Sequence, residues 1–263
     1  MWFVLLTLAS VFAQDAPVGA SAPSLGACEV LKVPVGASDA SMRSAIQSAF
    51  DVVYARAVDI AAPFQNVSDA ACGVARYDVS QTGILTVVAV ARGSKLSVVR
   101  NGVPVASSFV YGQEGVVAPV RKGDRILVYV DAAAELAFLQ AHVTPVRFTV
   151  PPLSLDDVAS LRVGESVTQT LAPDAERYFL LNTDAGSPSV LLAQLGPEGD
   201  FGLVRFGSSM GLSASAADAA LVGSDGTAEL LDGSAIGGPM FLQAQGWNGD
   251  ADKVVTFKVI KLN

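Results

Sequence analysis

The chain has 263 residues, 51% of them hydrophobic, with 17 basic against 25 acidic side chains, one histidine and a net charge of −8. That length is enough to bury one large core or two ordinary ones, and the apolar content excludes a disordered chain. An acidic chain without a Lys/Arg cluster excludes nucleic acid as a partner, and beyond residue 13 no uncharged apolar run reaches the roughly 18 residues of a transmembrane span.

Residues 1–13, MWFVLLTLASVFA, read as a signal peptide, with Val11 and Ala13 suited to a signal-peptidase pocket. The expected location is therefore secreted, at the cell surface or in the periplasm. Residues 14–27, rich in Ala, Pro, Gly and Ser, read as a flexible leader. Leu25-Gly26-Ala27-Cys28 resembles a lipobox, although polar residues separate it from the apolar segment. The competing reading joins Cys28 to Cys72, the only two cysteines, in a disulfide closing a loop of about 45 residues and contributing about 4 kcal/mol in the chain-entropy model. The two exclude each other, because lipidation would leave Cys72 unpaired. Asn66-Val67-Ser68 is a formal glycosylation sequon.

Met42, Ile46, Ala49, Val53 and Ala57 recur at helical spacing, with Ser38 or Asp39 as cap. Against it, Val52-Val53-Tyr54 and Val58-Asp59-Ile60 have strand character, and the reading the spacing favours over 39–64 is a helix over about 40–55 that relaxes into a strand before Pro63. From residue 74 onward short apolar runs alternate with Gly, Asn and Asp: Ile84–Ala91, Lys95–Arg100, Val103–Ser107, Arg125–Val130 and Val146–Val150, then Tyr178–Asn182, Ser189–Leu195, Leu203–Phe206, Met240–Gln245 and Val254–Ile260. Strands of this length and spacing predict antiparallel sandwiches. Asn101-Gly102 is a two-residue hairpin turn, since both positions tolerate positive φ.

The halves also repeat. Arg76-Tyr77 matches Arg177-Tyr178, Val99–Gly102 matches Val204–Gly207, and Glu114-Gly115 resembles Asp225-Gly226. Phe138–Ala141 matches Phe241–Ala244, and Val146–Phe148 answers Val255–Phe257, all in order at offsets of 101 to 111 residues. The expected fold is all-β: two tandem antiparallel β-sandwich (jelly-roll-like) domains with a short, partly helical N-terminal segment. The first occupies residues 28–150 with that segment and the second residues 155–263. Between them 151–154 is a linker in which Pro151-Pro152 holds the domains apart.

In the second copy, Leu161–Gly164 precedes a strand, Ala175–Phe179 follows, and Gly199-Asp200 leads into Leu203–Ser208, before Phe241–Trp247 and Val254–Ile260. This pattern resembles the bacterial pre-peptidase C-terminal domain, a β-sandwich appended to secreted peptidases. The resemblance covers residues 155–263, and residues 57–150 only through the internal repeat. It implies contact with extracellular polymers, protein or polysaccharide. Gly202 stands where the family pattern has an acidic residue.

Catalytic chemistry lacks its inventory. Gly207-Ser208-Ser209-Met210-Gly211 fits a nucleophile elbow, but the required later histidine is missing, His142 being upstream. One histidine and two cysteines cannot furnish a zinc site, and acids such as Asp156-Asp157 and Asp174-Ala175-Glu176 sit in polar turns with nothing marking a working pair. No cofactor is expected. Calcium is the one candidate, at Asn248, Asp250 and Asp252, whose alternating oxygens could wrap a hard cation; solvated turn acids are the simpler reading. Trp247 beside that turn, Asn248, and Tyr111 in a loop over Ser107–Gly115 are the ligand-binding candidates, because an exposed ring can stack on a sugar or pack on a partner chain. The expected role is an exported, non-catalytic binding or adhesion protein acting through both modules. A self-associating envelope scaffold is the alternative and a carboxylate hydrolase the weakest.

Overall fold

The computed structural model describes residues 26–27, 38–60, 64–65, 72–131, 136–172, 176–182, 189–195, 200–206, 217–222, 228–232, 240–247 and 252–261. Residues 1–25, the expected signal peptide and most of the leader, lie outside them. So do Cys28, the sequon and the Gly207–Gly211 motif.

In chain order the elements are β1 (Gly26–Ala27), α1 (Asp39–Arg56), β2 (Val58–Asp59), β3 (Phe64–Gln65), β4 (Cys72–Asp78), β5 (Gly83–Arg100), β6 (Val103–Val120), β7 (Arg125–Asp131) and β8 (Leu136–Pro145). A 3-10 turn at Leu155–Asp157 leads to β9 (Ala159–Arg162), β10 (Ser166–Leu171), β11 (Glu176–Asn182), β12 (Ser189–Leu195), β13 (Asp200–Phe206), β14 (Ala217–Val222), β15 (Ala228–Asp232), β16 (Met240–Trp247) and β17 (Lys253–Lys261). The protein is all-β with a single long helix among the described residues.

α1 runs where the spacing predicted it. The Ser38 side chain accepts a hydrogen bond from the Ser41 amide, and Asp39 and Arg56 sit at the ends that favour their charges. Its buried face is Met42, Ile46, Phe50, Val53 and Tyr54. Phe50, Val53, Tyr54 and Ala57 pack on Val74, Val99, Leu127 and Tyr129. β7 is consequently buried on both faces: Ile126, Val128 and Val130 face the sandwich interior while Leu127 and Tyr129 face the helix. That double burial explains its unbroken apolar run. At the rim, Arg125 lies 5.1 Å and 5.3 Å from the Phe50 and Tyr54 ring centroids and pairs with Asp51 at 2.8 Å. The Tyr54 hydroxyl donates to Asp78 Oδ1 at 2.5 Å. Burial, then this carboxylate, raises its pKa far above the ordinary tyrosine value.

Two of the expected strands, Ile84–Ala91 and Lys95–Arg100, are one strand of 18 residues, and Val103–Ser107 is only the start of another. β5 and β6 pair along their whole length through the Asn101-Gly102 turn, which has φ of 50° and 86° as a two-residue hairpin requires. On its other side β5 changes partner. Gly83–Ala91 pair with β8, whereas Leu96–Arg100 pair with β7. The switch falls at a register shift around Gly93 (φ 102°), close to Gly112 of β6 (φ 98°). Two glycines in the left-handed region let both strands turn the corner together, so one continuous hairpin supplies both layers of a sandwich. The core between the layers includes Leu85, Val87, Leu96, Val98, Val128, Val130 and Leu139.

The second half has its layers separated, a five-stranded sheet β14-β13-β16-β11-β9 and a four-stranded sheet β10-β17-β12-β15. Phe179 of β11 meets Phe257 of β17 across them at 4.7 Å. The connectivity matches the first half strand for strand. In each, a short strand pairs in parallel with the next long one, β2 with β4 and β9 with β11. The order β4-β7-β5-β6 corresponds to β11-β16-β13-β14, and β3-β8-β5-β6 to β10-β17-β12-β15. Each long strand of the first half therefore answers to two strands in the second.

This topology corrects two of the repeat matches. Phe138–Ala141 lies in β8, whose counterpart is β17, and not opposite Phe241–Ala244 in β16. Val146–Val150 is not a strand: the chain leaves the sheet at Pro145, and Phe148 stands 56% exposed.

Residues 151–154 do not hold the halves apart. The Pro151 carbonyl accepts from Arg100 Nη2 at 2.8 Å and the Leu153 carbonyl from Asn101 Nδ2 at 2.9 Å. Arg100 is 3% exposed and its Nε meets Asp124 Oδ2 at 2.5 Å. Asp124 also accepts from Asn101 Nδ2 at 2.9 Å and from the Arg121 amide at 2.6 Å. Beside this network Met42, Ile46 and Val103 share one apolar cluster with Leu155, Val158, Leu180 and Phe241. Arg43 of α1 donates to the carbonyls of Leu155 and Val158 and to Ser160 Oγ, and Arg162 pairs with Asp39 at 3.0 Å. Tyr178, which donates to Glu176 Oε2 at 2.6 Å, packs against both clusters. Burial, then the Glu176 carboxylate, raises its pKa well above the ordinary value.

Candidate binding surface

The packing leaves two kinds of sheet face. The outer side of the β4-β7-β5 layer carries α1, and the side of the β16-β11 layer bearing Tyr178, Leu180, Phe241 and Gln243 is buried in the second half's contact with the first. The outer face of the β6-β5-β8 layer has no such cover among the described residues. Its residues follow from the register, because directly paired side chains in a sheet share a face.

Tyr111 stands opposite Arg92, and Gln113 opposite Val90, which in turn faces Phe138. Next come Gly115, Val88 and Gln140, then Val117, Thr86 and His142, then Pro119, Ile84 and Thr144. The intervening residues, Leu85, Val87, Ala89, Leu139 and Ala141, point inward and are buried. Eight residue steps at about 3.4 Å and three strands at about 4.8 Å give a platform of about 27 by 10 Å. Tyr111 is 76% exposed and Val117 63%, the two most exposed large apolar side chains among the described residues. No acid occupies any of these positions, although the chain carries 25. Aromatic, aliphatic, amide and hydroxyl groups, with the Arg92 guanidinium and the His142 imidazole, on an open sheet face suit an extended ligand held by ring contact and hydrogen bonds.

The other predicted residues are dispersed. Tyr111 is in the middle of β6, not in a loop, because the hairpin continues through Ser107–Gly115 with its register intact. Trp247 ends β16, paired with Asp200 of β13, and its side chain lies outside the described residues, as do Asn248 and Asp250. Asp252 is exposed. Cys72 opens β4, and its proposed partner Cys28 lies outside the described residues. Among the described residues no three His, Cys, Asp or Glu side chains converge as a metal site. Phe138, Gln140 and His142 were missed as surface residues; their alternation with Leu139 and Ala141 carried the signal.

No protein-family model and no curated protein matches the chain. Among solved structures, a conserved protein of unknown function from Pseudomonas aeruginosa is similar at 11% identity and a TM-score of 0.25, over 76% of this chain and 91% of that one. The CUB1-EGF-CUB2 domains of rat MASP-1 are similar at 7% identity and a TM-score of 0.26, over 74% of this chain and 93% of that one.

Proposed function

We propose that the protein is an exported, non-catalytic binding module that holds an extracellular polymer, protein or polysaccharide, along the outer face of the β6-β5-β8 layer. The observation that carries this reading is the platform itself: uncovered among the described residues, free of acids, and edged by the exposed ring of Tyr111. Export finds support in the apolar segment of residues 1–13 and in the two cysteines, Cys28 and Cys72, the second of which opens β4. A cystine joining them belongs to an oxidising compartment. No helix among the described residues is long and apolar enough to cross a membrane. The pre-peptidase C-terminal resemblance points the same way.

The test is co-sedimentation with insoluble polysaccharides and with fibrous proteins. Tyr111→Ala and Gln140→Ala are expected to weaken retention about fivefold each, with melting temperature unchanged, since one exposed ring or amide contact is worth about 1 kcal/mol. Retention by both variants equal to wild type overturns the assignment of this face.

Self-association into a scaffold has one observation in its favour, the outer edge of β6, which no described strand pairs. Pro104, Pro119 and the kink at Gly112 interrupt that edge, the devices by which sheets resist edge-to-edge addition. Light scattering over a concentration series decides, with a constant monomer mass expected.

A further inference from the structure

We infer that α1 and the buried Arg100–Asp124 network lock the two sandwiches in one relative orientation, so that the chain unfolds as a single cooperative body instead of two tethered modules. The inference holds whatever the ligand. Two independent sets of contacts carry it.

The first is the connector. Arg100 ends β5 of the first sandwich, yet one of its nitrogens holds the Pro151 carbonyl, while Asn101 in the adjacent turn holds that of Leu153. Asp124 is the counter-charge that keeps Arg100 in place and orients Asn101. The side chains at the β5–β6 turn thus also immobilise the segment between the halves. Buried polar groups tolerate few alternative arrangements, since any other leaves a charge unpaired.

The second is the helix. The C-terminal turns of α1 belong to the first sandwich through Phe50, Val53 and Tyr54. Its N-terminal turns face the second, where Met42 and Ile46 join Leu180 and Phe241, and Arg43 donates to the Leu155 and Val158 carbonyls and to Ser160 Oγ. One rigid rod is anchored at both ends, like a splint across a joint. Two binding modules on a flexible tether would gain through effective concentration. Here the tether has no freedom to contribute, and the open sheet face is presented in a fixed direction relative to the second sandwich.

Differential scanning calorimetry of the full chain tests this together with limited proteolysis. One transition is expected for the wild type, with calorimetric and van't Hoff enthalpies equal. Arg43→Ala removes contacts made only to the second sandwich, and is expected to lower the melting temperature of the whole transition by about 5 °C and to expose residues 151–154 to cleavage. Asp124→Ala is expected to lower it by about 10 °C, as for one partner of a buried ion pair. Asp51→Asn, which breaks a half-exposed pair within the first half, is the control and is expected to shift it by less than about 2 °C. Two separate wild-type transitions overturn the inference. So does an Arg43→Ala protein that melts and resists protease as the wild type does, and this second criterion stands even if Asp124→Ala fails to fold.

Discussion

Glycine is used for two different reasons in this chain, and substitution separates them. At Gly83 the backbone is ordinary but there is no room: a Cβ would lie 2.2 Å from the Thr144 carbonyl oxygen and 2.6 Å from Val143 Cγ1. The oxygen belongs to β8, so it can withdraw only by opening the β5–β8 ladder. At Gly123 the space is open, with nothing within 4 Å, and the constraint is φ of +92°. Gly83→Ala is therefore expected to cost about 3 kcal/mol, as overpacking does, and Gly123→Ala about 1 kcal/mol, as a left-handed alanine does. Urea unfolding of the two variants checks the order, and a reversed order would mean that β8 yields more easily than its pairing implies. The sequence marks Asn101-Gly102 as a turn. It marks Arg100 and Asp124 hardly at all, because each is an ordinary surface residue until the fold brings the two together and buries them. Tyr111 reads as exposed in sequence because it is placed in a loop over Ser107–Gly115, whereas its strand setting follows only from its pairing partner Arg92.

Among the elements, those closed by local signals were the most legible. α1 shows its cap and its 3.6-residue periodicity, and β7 and β12 appear as compact apolar runs. β5 and β6 were cut short because Gly93 and Gly112, read in sequence as punctuation, serve as bends inside continuous strands. The same glycines spoiled the repeat alignment. With two strands of the first half standing for four of the second, matching by residue string slipped by one strand at Phe138. β14 is missing from the expected strands, since its alanines give little alternation to detect. β1 is too short to read at all, and the Cys28–Cys72 bridge proposed next to it carries a prediction of its own. Non-reducing and reducing intact-mass measurements are expected to differ by about 2 Da, the two hydrogens of one cystine, and reduction is expected to lower stability by about 4 kcal/mol. A mass unchanged by reduction, or a lipid adduct on Cys28, removes that pairing from the account.

For the molecule as a whole, the places where the sandwiches and helix meet carry two tyrosines whose pKa burial raises above the ordinary value. Tyr178 is enclosed with Glu176, Gln243 and the nearby Arg100, and Tyr54 with Asp78 beneath the Arg76 and Arg125 guanidiniums. In both, burial is the larger cause and an adjacent carboxylate the next, and the arginines only partly offset them. Each group thus holds its proton more tightly folded than unfolded. The folded state gains from that proton fully below the ordinary tyrosine pKa of 10.0. Above it the unfolded chain binds fewer protons, so stability falls as pH rises toward the folded values, for Tyr178 by about 1.4 kcal/mol per pH unit. Urea midpoints should accordingly be flat between pH 8 and about pH 9.5 and drop steeply beyond it. The tyrosinate absorbance of Tyr54 and Tyr178 should appear only with the unfolding transition. Tyr178→Phe should flatten the alkaline slope even though it loses stability at neutral pH, where Glu176 is left without its donor. An alkaline slope identical in wild type and Tyr178→Phe would show that the contact between the sandwiches admits water and hydroxide, and with it that the joint opens.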